Sequence, residues 1–170
     1  GVETKKVTEV KNQRGDLVGF ANKESFQQTP YKTWYTQKFN TYEPNPTTIA
    51  SLKKSLKGIK IKGFMGTWCG DSKREVPRFY KILEETGFDE NKLELICVDR
   101  TKTTPDSLQK GFNLIRVPTF IFYKDGFEIA NKNLHEIIQS YGSFISILNK
   151  KMFWLEYSIV PVAANRLSQN

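Results

Sequence analysis

The sequence is poor in the residues that build covalent or metal cross-links, since its 170 residues include two cysteines and one histidine. Two cysteines cannot form the disulfide framework of a small secreted domain, and a structural zinc site takes about four cysteine or histidine ligands. We therefore expect no metal site and no resident cofactor. An apolar run of about 20 residues, which a membrane-spanning helix needs, is also missing, so we predict no transmembrane segment.

Acidic residues are fewer than basic ones, and the net charge is +8. Residues 1–60 carry 11 Lys and Arg against 5 Asp and Glu, whereas residues 61–170 carry 15 against 13. The basic residues are scattered and do not form the stripe with stacking aromatics that nucleic-acid binding requires, so no nucleic-acid partner is predicted. The sequence leaves the oligomeric state open, and also the localisation, with the cytoplasm and a bacterial cell envelope or periplasm as the alternatives.

The N-terminal third divides at a change of composition. Residues 1–29 are polar, and we expect an arm that is ordered only in part, with a short strand at 17–20. Aromatic residues then recur at helical spacing after Pro30 and predict a helix that docks on the main domain. They are Tyr31, Trp34, Tyr35, Phe39 and Tyr42. After a break at 44–46, a second helix is expected, with Thr47 or Thr48 as its N-cap.

The remaining chain alternates apolar runs with helical patterns. Strands are predicted at 59–65, 93–98 and 117–123, and Asp125-Gly126 predicts a hairpin to a fourth strand at 127–130. Helices are predicted after residue 69, where Gly87 ends the helix, at 103–110, and from Asn133 to about residue 148. We predict three parts: an arm at 1–29, a main α/β domain with its N-terminal helix at 30–150, and a C-terminal extension at 151–170.

Cys69 lies where the first strand of the main domain turns into a helix. Free N–H groups at a helix start carry partial positive charge, which favours a thiolate. Asp71 opposes the anion while Lys73 and Arg74 favour it, and the sequence leaves this balance open. The alternative is that Cys69 is only a small residue in a tight turn.

Two further residues are weaker candidates for a functional role. Cys97 lies within a predicted strand, where we expect it to be buried and too distant from Cys69 for a disulfide. His135 is expected to be a surface residue without a catalytic role.

Three motifs in this order resemble the thioredoxin-like family. They are Trp68-Cys69-Gly70-Asp71-Ser72, Pro77 within the following helix, and Val117-Pro118-Thr119 before a strand. More narrowly, the sequence is similar to bacterial single-cysteine members that have Cys-Gly-Asp-Ser in place of Cys-x-x-Cys. The resemblance covers about residues 47–150. It implies a three-layer thioredoxin-like fold, in which a central mixed sheet is flanked by helices, here with an N-terminal helical extension.

The resemblance also implies roles for individual residues. Cys69 corresponds to the nucleophile, and Pro118 to the cis-proline that lies beside it. Trp68, Val117 and Thr119 correspond to the substrate-binding positions, where the backbone of Val117 faces a groove in which an extended chain can pair. A proline at the start of a strand is the alternative reading of Pro118.

Two departures from the family pattern concern the same chemical step. Ser72 replaces the resolving cysteine, and a hydroxyl cannot release a mixed disulfide. Gly63 stands where thioredoxins often have a buried acid that helps to deprotonate the resolving thiol.

The resulting hypothesis is a monothiol thiol-disulfide oxidoreductase that acts on protein or low-molecular-weight thiols and disulfides. Two alternatives remain: a non-catalytic thioredoxin-fold module that binds peptides or proteins, and a structural domain in which Cys69 is incidental.

Overall fold

The computed structural model describes residues 7–159, and it places six strands in one mixed sheet in the order β1-β2-β4-β3-β5-β6. The strands are β1 (Val10–Lys11), β2 (Leu17–Ala21), β3 (Ile59–Met65), β4 (Leu93–Cys97), β5 (Thr119–Lys124) and β6 (Phe127–Asn133). The helices are α1 (Tyr31–Thr41), α2 (Pro46–Ser55), α3 (Gly70–Thr86), α4 (Leu134–Gln139) and α5 (Tyr141–Trp154). β3 and β4 pair in parallel, and the other neighbouring strands are antiparallel.

The alternation of side chains along the strands divides the apolar residues between two cores. The helix-side core receives Ile59, Ile61 and Met65 of β3 together with residues of α1, α2, α3 and α5. On the opposite face lies the loop-side core, whose buried members in the described part of the chain are Phe64, Ile96, Val98, Val117 and Ile121. The segment 98–118 covers this second core with Leu108, Phe112 and Leu114, which are only partly buried.

This topology is a thioredoxin-like fold, so the predicted fold class is confirmed. A parallel β3–α3–β4 unit is followed by the antiparallel β5–β6 hairpin, and helices flank the mixed sheet. Asp125 and Gly126 connect the hairpin with φ values of 52° and 83°, as the Asp-Gly signal predicts. β6 continues to Asn133, beyond the predicted end of the strand at residue 130. Between residues 7 and 159, no helix combines the length and apolar character that crossing a bilayer requires.

The short strand predicted at 17–20 is confirmed as β2, and residues 7–29 form part of the sheet and the core where an arm ordered only in part was expected. β2 pairs with β4 and extends the sheet, because the outer edge of β4 offers unpaired backbone groups that another strand can satisfy. Leu17 and Phe26 are buried in the helix-side core. The division of the chain at residues 29 and 150 into separate parts stays a prediction, and residues 1–6 and 160–170 lie outside the described residues.

The predicted aromatic helix is confirmed as α1, and it docks on the domain. Tyr31 and Tyr35 are buried, while Trp34 and Phe39 pack against the helix-side core. The ring of Phe26 stacks on Tyr35 at a centroid distance of 5.5 Å. The N-terminal segment and α1 are therefore joined by aromatic packing.

Two predicted helix boundaries are wrong. Asn45 caps α2 in place of Thr47 or Thr48, because its side chain accepts hydrogen bonds from both threonine N–H groups and Pro46 occupies the first helical position. The predicted helix after Asn133 is two helices, α4 and α5, which meet at Ser140 in a non-helical backbone conformation (φ −147°, ψ 68°).

The predicted helix at 103–110 is absent, and this segment forms turns. The Thr104 hydroxyl accepts from the N–H of Leu108 at 2.8 Å and donates to the Gln109 side chain at 3.0 Å. Such side-chain bonds compete with helical hydrogen bonding. Ser107 also has a φ of 53°, which a right-handed helix does not permit.

Candidate functional site at the start of α3

Cys69 is the N-cap residue of α3 and is partly exposed. Its N–H donates to the Gly66 carbonyl at 3.0 Å, and its own carbonyl accepts from the N–H of Lys73 at 3.0 Å. The thiol Sγ lies 3.6 Å from the carbonyl oxygen of Val117, to which it donates. The turn between β3 and α3 therefore fixes the backbone of Cys69 and directs its sulfur toward the segment before β5.

Trp68 is anchored beside the cysteine. Its indole Nε1 donates to the carbonyl of Val98 at 2.9 Å, and its ring packs on the loop-side core. A side chain at Gly66 would overlap this ring, so the glycine makes the close approach possible. The orientation of Trp68 thus depends on Val98, the residue that follows β4, and on the turn itself.

The segment before β5 forms the other wall of the site. The Val117–Pro118 peptide bond is cis, and both residues are buried. The Pro118 carbonyl accepts from the N–H of Leu134 at 2.8 Å, which connects this wall to the start of α4. Thr119 donates its hydroxyl to the Arg116 carbonyl at 2.6 Å. The structure thus brings Cys69 into contact with Val117 and holds Pro118 and Thr119 by separate hydrogen bonds.

Ser72 has a structural contact. Its side chain is fully buried, and its hydroxyl accepts from the N–H of Gly66 at 3.2 Å. This bond closes the turn that contains Trp68 and Cys69. Ser72 therefore satisfies a buried donor of the turn, a role that follows from its position and that the sequence analysis did not anticipate.

Gly63 leaves no room for a buried acid. A Cβ atom at this position would lie 2.6 to 2.9 Å from the ring carbons of Phe120. The aromatic ring of β5 thus fills the space beside the middle of β3. Both departures from the family pattern, at positions 63 and 72, are built into the packing of this protein.

Cys97 is fully buried in β4, opposite Met65 of β3. Burial raises the pKa of its thiol, because the thiolate loses hydration in the apolar core. Of the two cysteines in the sequence, Cys69 alone reaches solvent.

A cluster of charged side chains beside the cysteine was missed by the sequence analysis. We call it the Arg74 cluster, and its members are Asp71, Arg74, Glu75, Arg78 and His135. Arg74 donates from Nη2 to Asp71 at 2.7 Å and from Nε to Glu75 at 2.8 Å, and its Nη2 lies 3.3 Å from His135 Nδ1. The hydrogen bond to Asp71 raises the pKa of Arg74, against the opposing effect of partial burial.

Glu75 is the buried centre of the Arg74 cluster, with no solvent exposure. Its Oε1 accepts from Arg74 and from Arg78 Nη1, the latter at 3.0 Å. Its Oε2 is buried without a hydrogen-bond partner among residues 7–159, and His135 Nδ1 lies 3.8 Å away. The sequence held one signal of this arrangement, since Glu75 directly precedes Val76 on the apolar face of α3.

The N-terminal strand also reaches the turn of the site. The N–H of Leu17 donates to the hydroxyl of buried Thr67 at 3.1 Å. Next to it, buried Asp16 pairs with Arg100 at 3.2 Å, just after β4. The segment expected to be a loose arm therefore supports the turn that carries Cys69. In the described part of the chain, no three His, Cys, Asp or Glu side chains are grouped to hold a metal ion.

No protein-family model matches the sequence, and no curated protein matches it. Among solved structures, a protein of unknown function from Pseudomonas aeruginosa is 10% identical with a TM-score of 0.48, covering 81% of this chain and 92% of its own. The germline-specific thioredoxin Deadhead from Drosophila melanogaster is 16% identical with a TM-score of 0.37, covering 55% and 88%. A thioredoxin from Fasciola hepatica is 21% identical with a TM-score of 0.35, covering 54% and 88%. The fold assignment rests on the strand order and pairing described above.

Proposed function

We propose that this protein is a monothiol thiol-disulfide oxidoreductase that uses Cys69 to form mixed disulfides. The observation that carries the proposal is the contrast between its two cysteines. Cys69 is partly exposed at the start of α3 with its sulfur against Val117, whereas Cys97 is fully buried. Substrates would be protein or low-molecular-weight disulfides, with Trp68, Val117 and Thr119 as the residues that contact them.

The proposed reaction is one thiol-disulfide exchange. The Cys69 thiolate attacks one sulfur of a substrate disulfide, a new S–S bond forms to Cys69, and the second substrate sulfur leaves as a thiolate. Ser72 cannot expel the bound partner, because its oxygen forms no disulfide and already accepts from Gly66. Release then requires attack by an external thiol, which reduces the mixed disulfide and regenerates Cys69.

One observation favours the alternative, a peptide-binding module without turnover. Ile115 is 73% exposed two residues before Val117, on the segment that forms one wall of the site. An apolar side chain in this position could contact a bound chain. In that case Cys69 would have no chemical role in binding.

The test is whether the wild-type protein accumulates a mixed disulfide. We expect the reduced protein, incubated with glutathione disulfide, to gain one glutathione at Cys69, detected by intact and peptide mass spectrometry. The adduct should persist until an external thiol is added, because the chain has no accessible second thiol. Cys69→Ser should abolish the adduct, and Cys97→Ser should form it as the wild type does.

Ser72→Cys is the complementary variant, because it should add the resolving thiol that the wild-type protein lacks. A thiol at position 72 should convert the trapped adduct into an internal disulfide and permit reduction of a protein disulfide without glutathione. Efficient turnover by the wild type that is lost in Cys97→Ser would overturn the proposal and make Cys97 the resolving residue. Absence of both adduct and turnover in the wild type would favour the binding module.

A further inference from the structure

The Arg74 cluster joins the first turn of α3 to a buried carboxylate and to α4. Asp71 lies two residues after Cys69, at the end of the helix where the thiol is exposed. A negative charge at this place disfavours a thiolate, since like charges in proximity repel. The charge of Asp71 is therefore a disadvantage for the proposed chemistry unless a cation offsets it.

Arg74 supplies this cation with three directed contacts. Its Nη2 donates to Asp71 Oδ1 at 2.7 Å, and its Nε donates to Glu75 Oε1 at 2.8 Å. An arginine N–H can only donate, so in its 3.3 Å contact with His135 the ring nitrogen Nδ1 is the accepting atom. A lysine could not hold this geometry, because its single ammonium lacks the planar fork of a guanidinium.

The buried carboxylate explains why the pair with Asp71 is held. Asp71 is half exposed, and an isolated surface pair of this kind contributes little to stability, because ordering two long side chains costs entropy. Glu75 is fully buried and fixes the guanidinium from the other side. Its burial is tolerated because Arg74 and Arg78 both donate to it.

We propose that Arg74 is a positioning residue for Cys69: anchored by Glu75, it neutralises Asp71 and so keeps an uncompensated negative charge away from the reactive thiol. This inference rests on the proposed function, in which the thiolate of Cys69 is the attacking group. Other titratable groups near the site are Lys73 on α3, Arg116 before β5, and His135 and Glu136 on α4, with Arg116 and Glu136 paired at 2.9 Å. These groups stay unchanged in the variants below.

The sharpest test is Glu75→Leu. By charge alone, removing a nearby carboxylate should favour the thiolate and speed its alkylation. The proposal predicts the opposite, because Arg74 loses its anchor and Asp71 is released. We expect alkylation of Cys69 by iodoacetamide at pH 7 to fall about two- to threefold, and the pH of half-maximal rate to rise.

Arg74→Met removes the cation itself and should have the larger effect. We expect alkylation at pH 7 to fall roughly three- to tenfold, as one uncompensated charge on the same helical turn would produce. Adding Asp71→Asn should restore the rate to within about twofold of the wild type in either background. Asp71→Asn alone should alkylate at the wild-type rate or faster.

Arg78→Met is the matched control. Arg78 donates to the same Glu75 oxygen as Arg74 but belongs to the next turn of α3, away from Asp71. Its loss should leave the alkylation profile unchanged. Rates are measured at pH 8 as well as pH 7, and peptide mass spectrometry assigns the label to Cys69.

The proposal is overturned if folded Glu75→Leu alkylates at the wild-type rate or faster, or if Asp71→Asn fails to restore Arg74→Met. Circular dichroism establishes folding, and if Glu75→Leu does not fold, the Arg74→Met pair decides, since Glu75 there keeps Arg78. Alkylation does not depend on disulfide exchange. If the variants show the expected alkylation rates but the wild-type protein forms no mixed disulfide, the proposed function is refuted and the positioning role of Arg74 stands.

Discussion

The two faces of the sheet are covered in different ways. On the first face, β3, β4 and β5 present Ile61, Leu95 and Phe122 to the helix-side core, which α1, α2, α3 and α5 close. On the second face, the same strands present Lys62 and Glu94, paired at 3.0 Å, toward one end of the sheet. The buried apolar residues of this face, Phe64, Ile96 and Ile121 among them, belong to the loop-side core.

This difference means that one face of the sheet supplies most of the folding free energy, whereas the other face supports the candidate site. Helices on the first face bury continuous apolar surface, which is the main source of folding free energy. The loop-side core is small and lies beneath Trp68 and Cys69, which pack against it. The second face therefore supports the site locally, and the Lys62–Glu94 pair on it does not need a covering helix.

The largest expected effect is at the centre of the first face. Gly63→Asp, which would restore the acid of the family pattern, should leave the protein unfolded or destabilised by several kcal/mol. The new carboxylate would overlap the Phe120 ring and would be buried without a partner. Gly63→Ala is the control, with an expected loss of about 1–3 kcal/mol from overpacking alone.

Urea unfolding measures both free energies. A stable, folded Gly63→Asp would show that Phe120 can move aside, and it would remove the argument that packing excludes the acid.

A pair of phenylalanines compares the two faces directly. Phe122→Ala should cost about 3–5 kcal/mol, since the ring is fully buried and contacts Phe144 at a centroid distance of 4.8 Å. Phe112→Ala should cost less, because its ring is only partly buried and shields Phe64 from one side. Its main effect should instead be on the site. The rate of Cys69 alkylation should rise by more than the small loss of unfolding free energy alone would produce. Equal losses of unfolding free energy would contradict the division between the faces.

Sequence alone predicted the first face well, and the physical reason is periodicity. Short apolar runs predicted β3 and β4, and the apolar stripe of α3 ended at Gly87, whose φ of 73° suits glycine. The Asp-Gly hairpin was equally local. These features depend on neighbours within a few residues, so the local sequence pattern is sufficient to predict them.

The errors fall where side chains or distant segments override the pattern. The turns at 103–110 arise from bonds between Thr104, Leu108 and Gln109, and a helical composition does not reveal them. β2 is ordered by pairing with β4, across more than seventy residues of sequence. In the site, the segment of Val117 and Pro118 was expected beside Cys69, but the burial of Glu75 and its approach to His135 depend on how α4 packs on α3.

The smallest expected effect is at the connection between the N-terminal strand and the site. Thr67→Val removes the hydroxyl that accepts from the buried N–H of Leu17, while keeping the shape of the side chain. An unsatisfied buried donor costs about 1–3 kcal/mol, so we expect a loss in that range by urea unfolding. Thr67→Ser keeps the acceptor and should cost less. Amide hydrogen exchange at Leu17 should accelerate in Thr67→Val and stay slow in Thr67→Ser, because β2 pairs with β4 only from Gly19 onward and does not protect this N–H. Unchanged exchange at Leu17 in Thr67→Val would show that the strand is held without the threonine, and that the turn of Cys69 is independent of the N-terminal segment.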